Sequence, residues 1–245
     1  MTDNEKGSLV AKRTLKALLL FADHKSLTLS EIARSLEISQ TAAYRIVATL
    51  HEMGFIKRDE NKRYQLDSLL IRLAKMVEPT IRSVALPVMT SLSKQLDNES
   101  VTLSVSREAQ YVVIEQIDSS HTVKVTDITG LPNPLLRGAL GKIHLAFKGA
   151  DERDRILDMH EKQDHIDRKA YEEVLRQIRQ DGYAFTKGEH TPDIAGISVP
   201  VFDSSRQKMV AGLSIVMPLS RFQEDRLEYY VQCLKTAADT ISSQL

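Results

Sequence analysis

The segment TLSEIARSLEISQTAAYR, residues 28–45, carries the clearest indication of the fold. Its first half places apolar residues such as Ile32 and Leu36 at helical spacing, which predicts a short helix with one buried face. The spacing breaks at residues 37–39, and the Ser39 hydroxyl is suited to cap a second helix by accepting a bond from an early backbone N–H. Two short helices joined by a tight turn are typical of a helix-turn-helix, although an ordinary helical hairpin would show the same pattern.

The second helix of this pair has two faces of opposite character. Its apolar stripe consists of Ala43, Ile46, Val47 and Leu50. The other face is polar at the start of the helix and consists of Ser39, Gln40, Thr41, Tyr44 and Arg45. A polar leading edge suits entry into the major groove of DNA, so we predict that this second set of residues binds DNA. For Arg45 the pattern leaves two contacts open, a guanine edge or a phosphate.

A β-hairpin is predicted directly after this helix. Gly54 is suited to the left-handed position that follows a helix end. Residues 55–58 and 63–66 then read as short strands around a polar turn. A helix-turn-helix followed by a hairpin is a winged helix, and its wing tip carries Lys62 and Arg63. We predict that both cations bind DNA phosphates; the alternative is that they only keep an exposed hairpin solvated.

The remaining helical patterns divide the chain into two domains and a connector. A first helix over residues 9–23 would complete the core of a DNA-binding domain of residues 1–66. A linker of residues 67–79 follows, predicted as a helix that Pro79 closes. Residues 80–245 form the larger domain.

The larger domain mixes helices with an antiparallel sheet. Alternating residues and short apolar runs predict strands at residues 101–105, 111–117, 123–128, 197–202 and 209–216. Helical patterns cover residues 81–96, 138–147, 151–159, 168–181 and 221–243. A central antiparallel sheet with helices grouped around it belongs to the α+β class.

The composition predicts a globular cytoplasmic protein that does not interact with membranes. Its 245 residues are 42% hydrophobic and 27% charged, which is enough to bury a sizeable core. No apolar run approaches the roughly 20 residues that a membrane span needs, and the start MTDNEKGS lacks the apolar core of a signal peptide. The one cysteine, Cys233, has no partner for an internal disulfide. The formal net charge is zero, with 13 Lys and Arg against 10 Asp and Glu in residues 1–80.

The sequence offers no convincing catalytic or metal-binding constellation. The segment GALGK resembles a phosphate-binding loop, but Leu136 stands where the first glycine is needed and Ile143 follows the lysine. No G-x-S-x-G elbow of a serine hydrolase is present. His160 and His165 fall in a polar stretch that reads as a solvated loop, without the cysteines or carboxylates that would suit zinc.

We therefore predict a protein that is not an enzyme and that uses no metal or cofactor. Glu189 and His190 are adjacent, so on a strand they would point to opposite faces and form no dyad. Two rival interpretations are a ligand-binding enzyme with a helical head and a protein-interaction adaptor with a degenerate winged helix. The enzyme lacks a convergent set of titratable residues, and the cations at Arg45, Lys62 and Arg63 argue against the adaptor.

Taken together, the motifs resemble the IclR (isocitrate-lyase-regulator) family of bacterial transcription factors over nearly the whole chain. The matching segments, in order, are LTLSEIARSLEIS, TAAYRIVATLHEMGFI, RYQL, LLRGALGKIHLAF, DGYA, ISVPVFD and AGLSIVMPLS. The resemblance implies a winged-helix domain, a linker helix and an effector-binding domain related to the GAF and PAS folds. It also implies homodimers or homotetramers whose binding to double-stranded operator DNA responds to a small molecule.

The same resemblance implies an effector pocket between residues 138–142 and the last two strands. The implied contacts are Gly138, Ala139, Leu140, Thr186, Gly196, Ser214 and Val216. Several positions depart from acid-binding members: Thr186 stands where an aspartate can occur, Gly196 replaces a cysteine and Val216 replaces a serine. Leu136 stands where many members carry histidine. These departures make the implied pocket more apolar.

We accordingly expect the effector to be a carboxylate that also carries an apolar or aromatic portion. Backbone N–H groups at the start of the 138–147 helix favour an anion, and Ser214 could donate one further hydrogen bond. The candidate apolar wall consists of Leu135, Leu140, Val216 and Met217. The alternative is that Ser214 and Thr186 are ordinary strand residues.

Overall fold

The computed structural model describes residues 8–74, 76, 79–125, 129–164 and 167–245, and the chain divides into two units, Met1–Pro79 and Thr80–Leu245. The helices of the first unit are α1 (Leu9–Leu19), which continues as a 3₁₀ turn over Leu20–Ala22, α2 (Leu29–Ser35), α3 (Gln40–Glu52) and α4 (Leu69–Ala74). Its two strands, β1 (Ile56–Arg58) and β2 (Tyr64–Leu66), pair antiparallel. Three helices followed by a hairpin form a winged helix-turn-helix, which confirms the predicted fold of this region.

Local hydrogen bonds explain why the helices of the first unit start and end where they do. Thr28 and Glu31 form a capping box at the start of α2, in which each side chain accepts the backbone N–H of the other. The Ser39 hydroxyl accepts the N–H of Ala42 over 3.3 Å, so Ser39 caps α3 as predicted. Beyond α3, Gly54 has a φ of +76°, the left-handed conformation that follows many helix ends.

One apolar core holds the winged helix together. It is built from Ala17, Phe21, Leu27, Ile32, Ile46, Val47, Leu50, Ile56 and Tyr64. Helices α1, α2 and α3 and both strands contribute to it, so the helix pair is not an isolated hairpin. The aromatic ring of Tyr64 and the side chain of Ile56 close the core from the wing.

The prediction that Pro79 closes the linker helix is wrong. Pro79 is the first residue of the next helix, α5 (Pro79–Gln95). Proline suits this position because the first N–H groups of a helix have no partner within the helix, so the missing N–H costs nothing. The linker helix is α4, and residues 75, 77 and 78 of its predicted range lie outside the described residues.

The second unit is built on one six-stranded antiparallel sheet in the order β5-β4-β3-β8-β7-β6. Its strands are β3 (Ser100–Arg107), β4 (Gln110–Ile117), β5 (Pro132–Pro134), β6 (Ala184–Lys187), β7 (Ile194–Phe202) and β8 (Met209–Pro218). Its other helices are α6 (Gly138–Ala146), α7 (Ala150–Asp164), α8 (Arg168–Asp181) and α9 (Leu227–Ser242). The predicted α+β class is confirmed.

Each face of this sheet has its own core. Helices α5 and α9 pack on one face, with Met89, Leu96, Leu213 and Leu234 among the fully buried side chains. Helices α6, α7 and α8 pack on the other, around Ile143, Leu157 and Leu175. The sheet is therefore the middle of three layers, and the α6 face carries the candidate pocket.

Two strands of the sheet were not expected from the pattern. The predicted strand at residues 123–128 is wrong as far as residue 125, because residues 123–125 belong to no strand and Val123 is exposed. Residues 126–128 lie outside the described residues. The edge strand is instead β5, where Asn133 pairs with Tyr111 of β4. Strand β6 was missed because its four residues are too short for an alternating pattern to stand out.

Candidate functional site

The polar face of α3 is open to solvent over its first two turns. Ser39, Gln40, Thr41, Tyr44 and Arg45 are all exposed, and Tyr44 keeps 59% of its surface accessible. Ala43, Ile46, Val47 and Leu50 are buried on the opposite side, as predicted. The Gln40 amide donates to the Ser30 hydroxyl over 3.2 Å, which fixes the start of α3 against α2. The helix therefore presents a continuous polar surface at its N-terminal end.

The wing carries three exposed cations. Lys62 lies at the tip in a left-handed conformation with a φ of +60°, and Lys57 and Arg58 lie on β1. The carboxylate of Asp59 holds the turn by accepting the backbone N–H groups of Asn61 and Arg63 over 3.0 and 2.8 Å. The hairpin is thus short and closed, with exposed cations on β1 and one lysine at its tip.

Arg63 is not the free wing-tip cation that the sequence predicts. Its guanidinium is directed back into the body of the winged helix, which we call the head, where it donates to the hydroxyl and the carbonyl oxygen of Ser26 and to the Glu31 carboxylate. The Arg63 side chain keeps only 34% of its surface accessible. Sequence position placed it beside Lys62, but the contact with Ser26 depends on how the wing folds against the start of α2.

A cavity of about 110 Å³ lies between α6 and the sheet in the second unit. Its lining residues are Tyr111, Val125, Asn133, Gly138, Ala139, Leu140, Thr186, Glu189, His190, Thr191, Ile194, Gly196 and Val216. Six of the seven implied effector contacts are among them. Gly196 helps to keep the space open, because a Cβ there would lie 3.5 Å from the Cβ of Ala139 and 3.8 Å from the Thr186 hydroxyl.

Ser214 is the implied contact that does not line the cavity. Its hydroxyl is fully buried and lies 2.7 Å from the hydroxyl of Ser198 on the neighbouring strand. Two members of the expected apolar wall, Leu135 and Met217, do not line the cavity either. Met217 packs in the core on the opposite face of the sheet, because neighbouring residues of a strand point to opposite faces.

The start of α6 faces the cavity and is held by a hydroxyl from β6. The backbone N–H of Ala139 donates to Oγ1 of Thr186 over 3.0 Å. This bond satisfies one of the N–H groups that have no partner within the helix. It also leaves the Thr186 hydroxyl hydrogen available to another acceptor.

The loop between β6 and β7 contributes residues for which the sequence predicted no role. Glu189 and His190 lie in this loop and not on a strand, so the opposite-faces argument does not apply to them, and both line the cavity. The Glu189 carboxylate pairs with Nζ of Lys142 on α6 over 2.7 Å. A Cβ at Gly138 would lie 3.1 Å from the His190 Cβ, so the loop approaches the helix start closely. No short-range signal in the sequence indicated this approach.

A buried histidine lies next to the cavity wall. The His144 ring stacks on Tyr111 with ring centroids 6.0 Å apart, and its Nε2 lies 2.8 Å from the Ser104 hydroxyl. Burial, aided by the charge of Lys148, lowers the pKa of His144 to about 3, so its ring is neutral near pH 7. Burial also raises the pKa of Tyr111 to about 12. Ser104 on β3 and His144 on α6 are both buried where the helix packs on the sheet, so their hydrogen bond serves packing and is not an accessible dyad.

The described residues show neither a metal centre nor a membrane-spanning helix. No group of three or more His, Cys, Asp or Glu among them is placed to hold a metal ion. No described helix is both long enough and apolar enough to cross a bilayer. The loop interpretation of His160 is wrong, since it lies in α7, and His165 is outside the described residues.

Comparison with known proteins agrees with both units. The IclR helix-turn-helix domain matches residues 10–60, and the domain described as bacterial transcriptional regulator IclR C-terminal matches residues 74–243. The chain belongs to the IclR family.

Among its relatives is the HTH-type transcriptional regulator KdgR of Escherichia coli (strain K12), 32% identical over 93% of this chain and 89% of KdgR. The crystal structure of the Thermotoga maritima IclR superposes with a TM-score of 0.79 at 26% identity, over 96% of this chain and 98% of that one. An IclR homologue from Microbacterium hydrocarbonoxydans, solved in complex with 4-hydroxybenzoate, gives a TM-score of 0.82 at 24% identity, over 96% of this chain and 98% of that one.

Family membership fixes the general function. This member of the IclR family is a DNA-binding transcriptional regulator with an effector-binding C-terminal domain, and the family is not one of enzymes. The rival interpretations as a ligand-binding enzyme or an adaptor are therefore wrong.

Proposed function

We propose that α3 reads operator DNA in the major groove and that the wing binds the adjacent backbone. The observation that carries this proposal is the exposed polar face of α3, with Thr41, Tyr44 and Arg45 opposite a buried apolar stripe. Side chains at this end of a recognition helix reach base edges in the major groove. Lys62 at the wing tip supplies a phosphate contact.

The test of this proposal is footprinting on the DNA that flanks the gene for this protein. Protection of a roughly palindromic site by the wild-type protein supports it. Loss of that footprint with the Arg45→Ala, Thr41→Ala double variant, but not with an Arg155→Ala control in α7 of the other unit, assigns the contact to α3. An unchanged footprint with a folded double variant contradicts it.

We infer that the effector is a small carboxylate that binds in the cavity beside α6. The helix start at Gly138–Leu140 places backbone N–H groups and a positive dipole end at the cavity wall, which favours an anion. Asn133, Thr186 and Thr191 supply polar groups for the rest of the molecule, while Ile194 and Val216 supply apolar surface. The Microbacterium hydrocarbonoxydans homologue was solved with 4-hydroxybenzoate, an acid that combines a carboxylate, an apolar ring and a hydroxyl. These three groups correspond to the helix start, the apolar surface and the polar groups of this cavity.

The volume of the cavity limits the size of the effector that it can hold. At about 110 Å³ it is smaller than the roughly 300–1,000 Å³ of most ligand pockets, so it holds a small acid or opens on binding. A thermal-shift screen of organic acids, each compared with its neutral amide, tests the inference. An acid that stabilises the protein while its amide does not supports a carboxylate; stabilisation by neutral compounds only contradicts it.

We also propose that the protein acts as a homodimer or homotetramer on chromosomal DNA in the bacterial cytoplasm. Leu15 and Leu19 are exposed one turn apart on α1, and Ile71 and Leu73 are exposed on α4. An exposed apolar face of this kind is typical of a surface that another protein covers. One winged helix contacts one half-site, so specific binding to a palindrome needs a second copy. Light scattering that finds only monomers, free and on DNA, contradicts the proposal.

A further inference from the structure

The guanidinium of Arg63 joins the wing to the turn that precedes α2. Its Nε donates to Oγ of Ser26 over 2.8 Å. One Nη donates to the carbonyl oxygen of Ser26 and to Oε2 of Glu31, each over 3.0 Å. Three of the five N–H groups that a guanidinium carries are thus engaged within the head, and its charge is paired with a carboxylate.

Glu31 connects this ion pair to the cap of α2. The oxygen that binds Arg63 also accepts the backbone N–H of Thr28 over 2.6 Å. The backbone N–H of Thr28, then its hydroxyl, and then Arg63 hold the pKa of the Glu31 carboxyl below its ordinary value. One carboxylate therefore both starts α2 and binds the wing.

The backbone repeats the connection one residue further along the wing. Leu27 and Tyr64 exchange two backbone hydrogen bonds of 3.0 and 2.7 Å, which form a bridge beside β2. Side chains of Ile32 on α2 and Ile46 on α3 share one core with Tyr64. A displacement of β2 would therefore be felt at α2 and, through the core, at α3.

The side chain of Lys62 has none of the contacts that hold Arg63 to Ser26 and Glu31. It is exposed at the tip of the wing, and its side chain has no ion pair with a residue of the described ranges. We propose that Arg63 is a positioning residue: it fixes the wing against the start of α2, so that Lys62 and the polar face of α3 meet DNA in a set geometry. The inference rests on the proposed DNA-reading face of α3 and adds the residue that orients the wing beside it.

The salt dependence of DNA affinity separates positioning from direct contact. The probes are a duplex that the wild-type protein selects from a random-sequence pool and a mixed-sequence duplex of equal length. Removal of one cation that binds a phosphate lowers the slope of log affinity against log salt by about one. We expect Lys62→Gln to lower this slope on both duplexes.

Arg63→Lys keeps the positive charge and loses the planar fork that binds Ser26 and Glu31 together. We expect it to leave the salt slope unchanged and to weaken binding to the selected duplex by about fivefold, with a smaller loss on the mixed-sequence duplex. Ser26→Ala removes a neutral acceptor and changes no charge, so we expect a smaller loss, also at constant slope. Because both changes act on one contact, the double variant should lose no more than Arg63→Lys alone.

Two results would overturn the inference. One is wild-type affinity for the selected duplex in Arg63→Lys, since charge alone would then suffice. The other is a salt slope that falls in the charge-removing variant Arg63→Gln as much as it does in Lys62→Gln, since Arg63 would then contact a phosphate directly. Thermal unfolding of each variant confirms that the binding assays are run well below its midpoint, and Ser26→Ala remains informative if Arg63→Lys folds poorly.

An Arg45→Ala variant in the same assay keeps the two proposals apart. If Arg45→Ala and Lys62→Gln leave both affinities unchanged, the DNA-reading face itself is wrong. If they weaken binding while Arg63→Lys matches wild type, only the positioning role fails.

Discussion

The ammonium group of Lys142 lies 2.7 Å from Oε1 of Glu189, so a charge on α6 is neutralised by the loop that lines the cavity. A carboxylate effector at the start of α6 would meet the Glu189 carboxylate as a like charge. We therefore expect Glu189→Gln to raise the affinity for a carboxylate effector by about fivefold, and to leave the affinity for its amide unchanged.

Calorimetry with both ligands checks this expectation. Glu152→Gln is the matched control, because Glu152 pairs with Lys148 over 2.6 Å and does not line the cavity. Weaker binding of the acid to Glu189→Gln would show that the Lys142–Glu189 pair supports the bound effector instead of competing with it.

Gly196 and Ser214 should differ in their effect on effector binding. Gly196→Leu places a side chain against Ala139 and Val216 and fills the cavity, so effector binding should fall by at least tenfold. Ser214→Ala should leave effector affinity unchanged, because the Ser214 hydroxyl bonds Ser198 and does not reach the cavity. Ser214→Ala should instead lower the free energy of unfolding, measured in urea, by about 1 kcal/mol, because the Ser198 hydroxyl loses its hydrogen-bond partner. A fall in effector affinity in a folded Ser214→Ala variant would show that Ser214 does contact the effector.

His144 should make the second unit sensitive to acid. The unfolded chain takes up a proton on this ring near pH 6.5, whereas the folded chain resists it down to about pH 3. The contribution of the neutral His144 ring to the free energy of unfolding is therefore fully present above pH 6.5. It falls as the pH drops toward 3, by up to about 1.4 kcal/mol per pH unit. His144→Leu should show a shallower loss between pH 6 and 4 in urea unfolding, compared with an exposed His51→Gln control. Identical pH slopes for His144→Leu and wild type would contradict the buried neutral state.

We expect the polar face of α3 to set which operator DNA sequence the protein prefers. If Arg45 reads a guanine edge, Arg45→Ala should cost about 1–3 kcal/mol of operator binding and relax the preference at one base position. If Arg45 binds a phosphate, affinity should fall about equally on all sequences. Gel shifts with single-base operator variants distinguish the two contacts, and Glu52→Gln at the far end of α3 serves as control.

We expect the exposed leucines of α1 to lie in the interface between two copies of the protein. Leu15→Glu with Leu19→Glu places two charges on the apolar face and should convert dimers into monomers with much weaker operator binding. Sedimentation at micromolar concentration measures the change, with Lys16→Glu as a control on the same helix. A double variant that sediments like wild type would place the interface elsewhere.

Local sequence patterns were sufficient to predict the winged helix and most of the helices and strands. Capping at Thr28 and Ser39 and the left-handed Gly54 act within four residues, and the apolar periodicity of α3 fixes which face is buried. Such signals are local, so they survive in any tertiary context that buries the apolar stripe. Helix α8, from Arg168 to Asp181 and ended by the left-handed Gly182, was predicted to the residue for the same reason.

Contacts between distant parts of the chain set which side chains meet. Arg63 looks like Lys62 in sequence, but the bridge between Leu27 and Tyr64 brings it to Ser26, 37 positions away. Tyr111, Asn133 and the loop at Glu189–His190 reach the cavity through strand pairing and loop closure. The direction of Ser214 toward Ser198 likewise follows from the register of β7 and β8. These contacts join residues far apart in the chain, so no short-range pattern encodes them, and burial and hydrogen-bond satisfaction in the folded state select them.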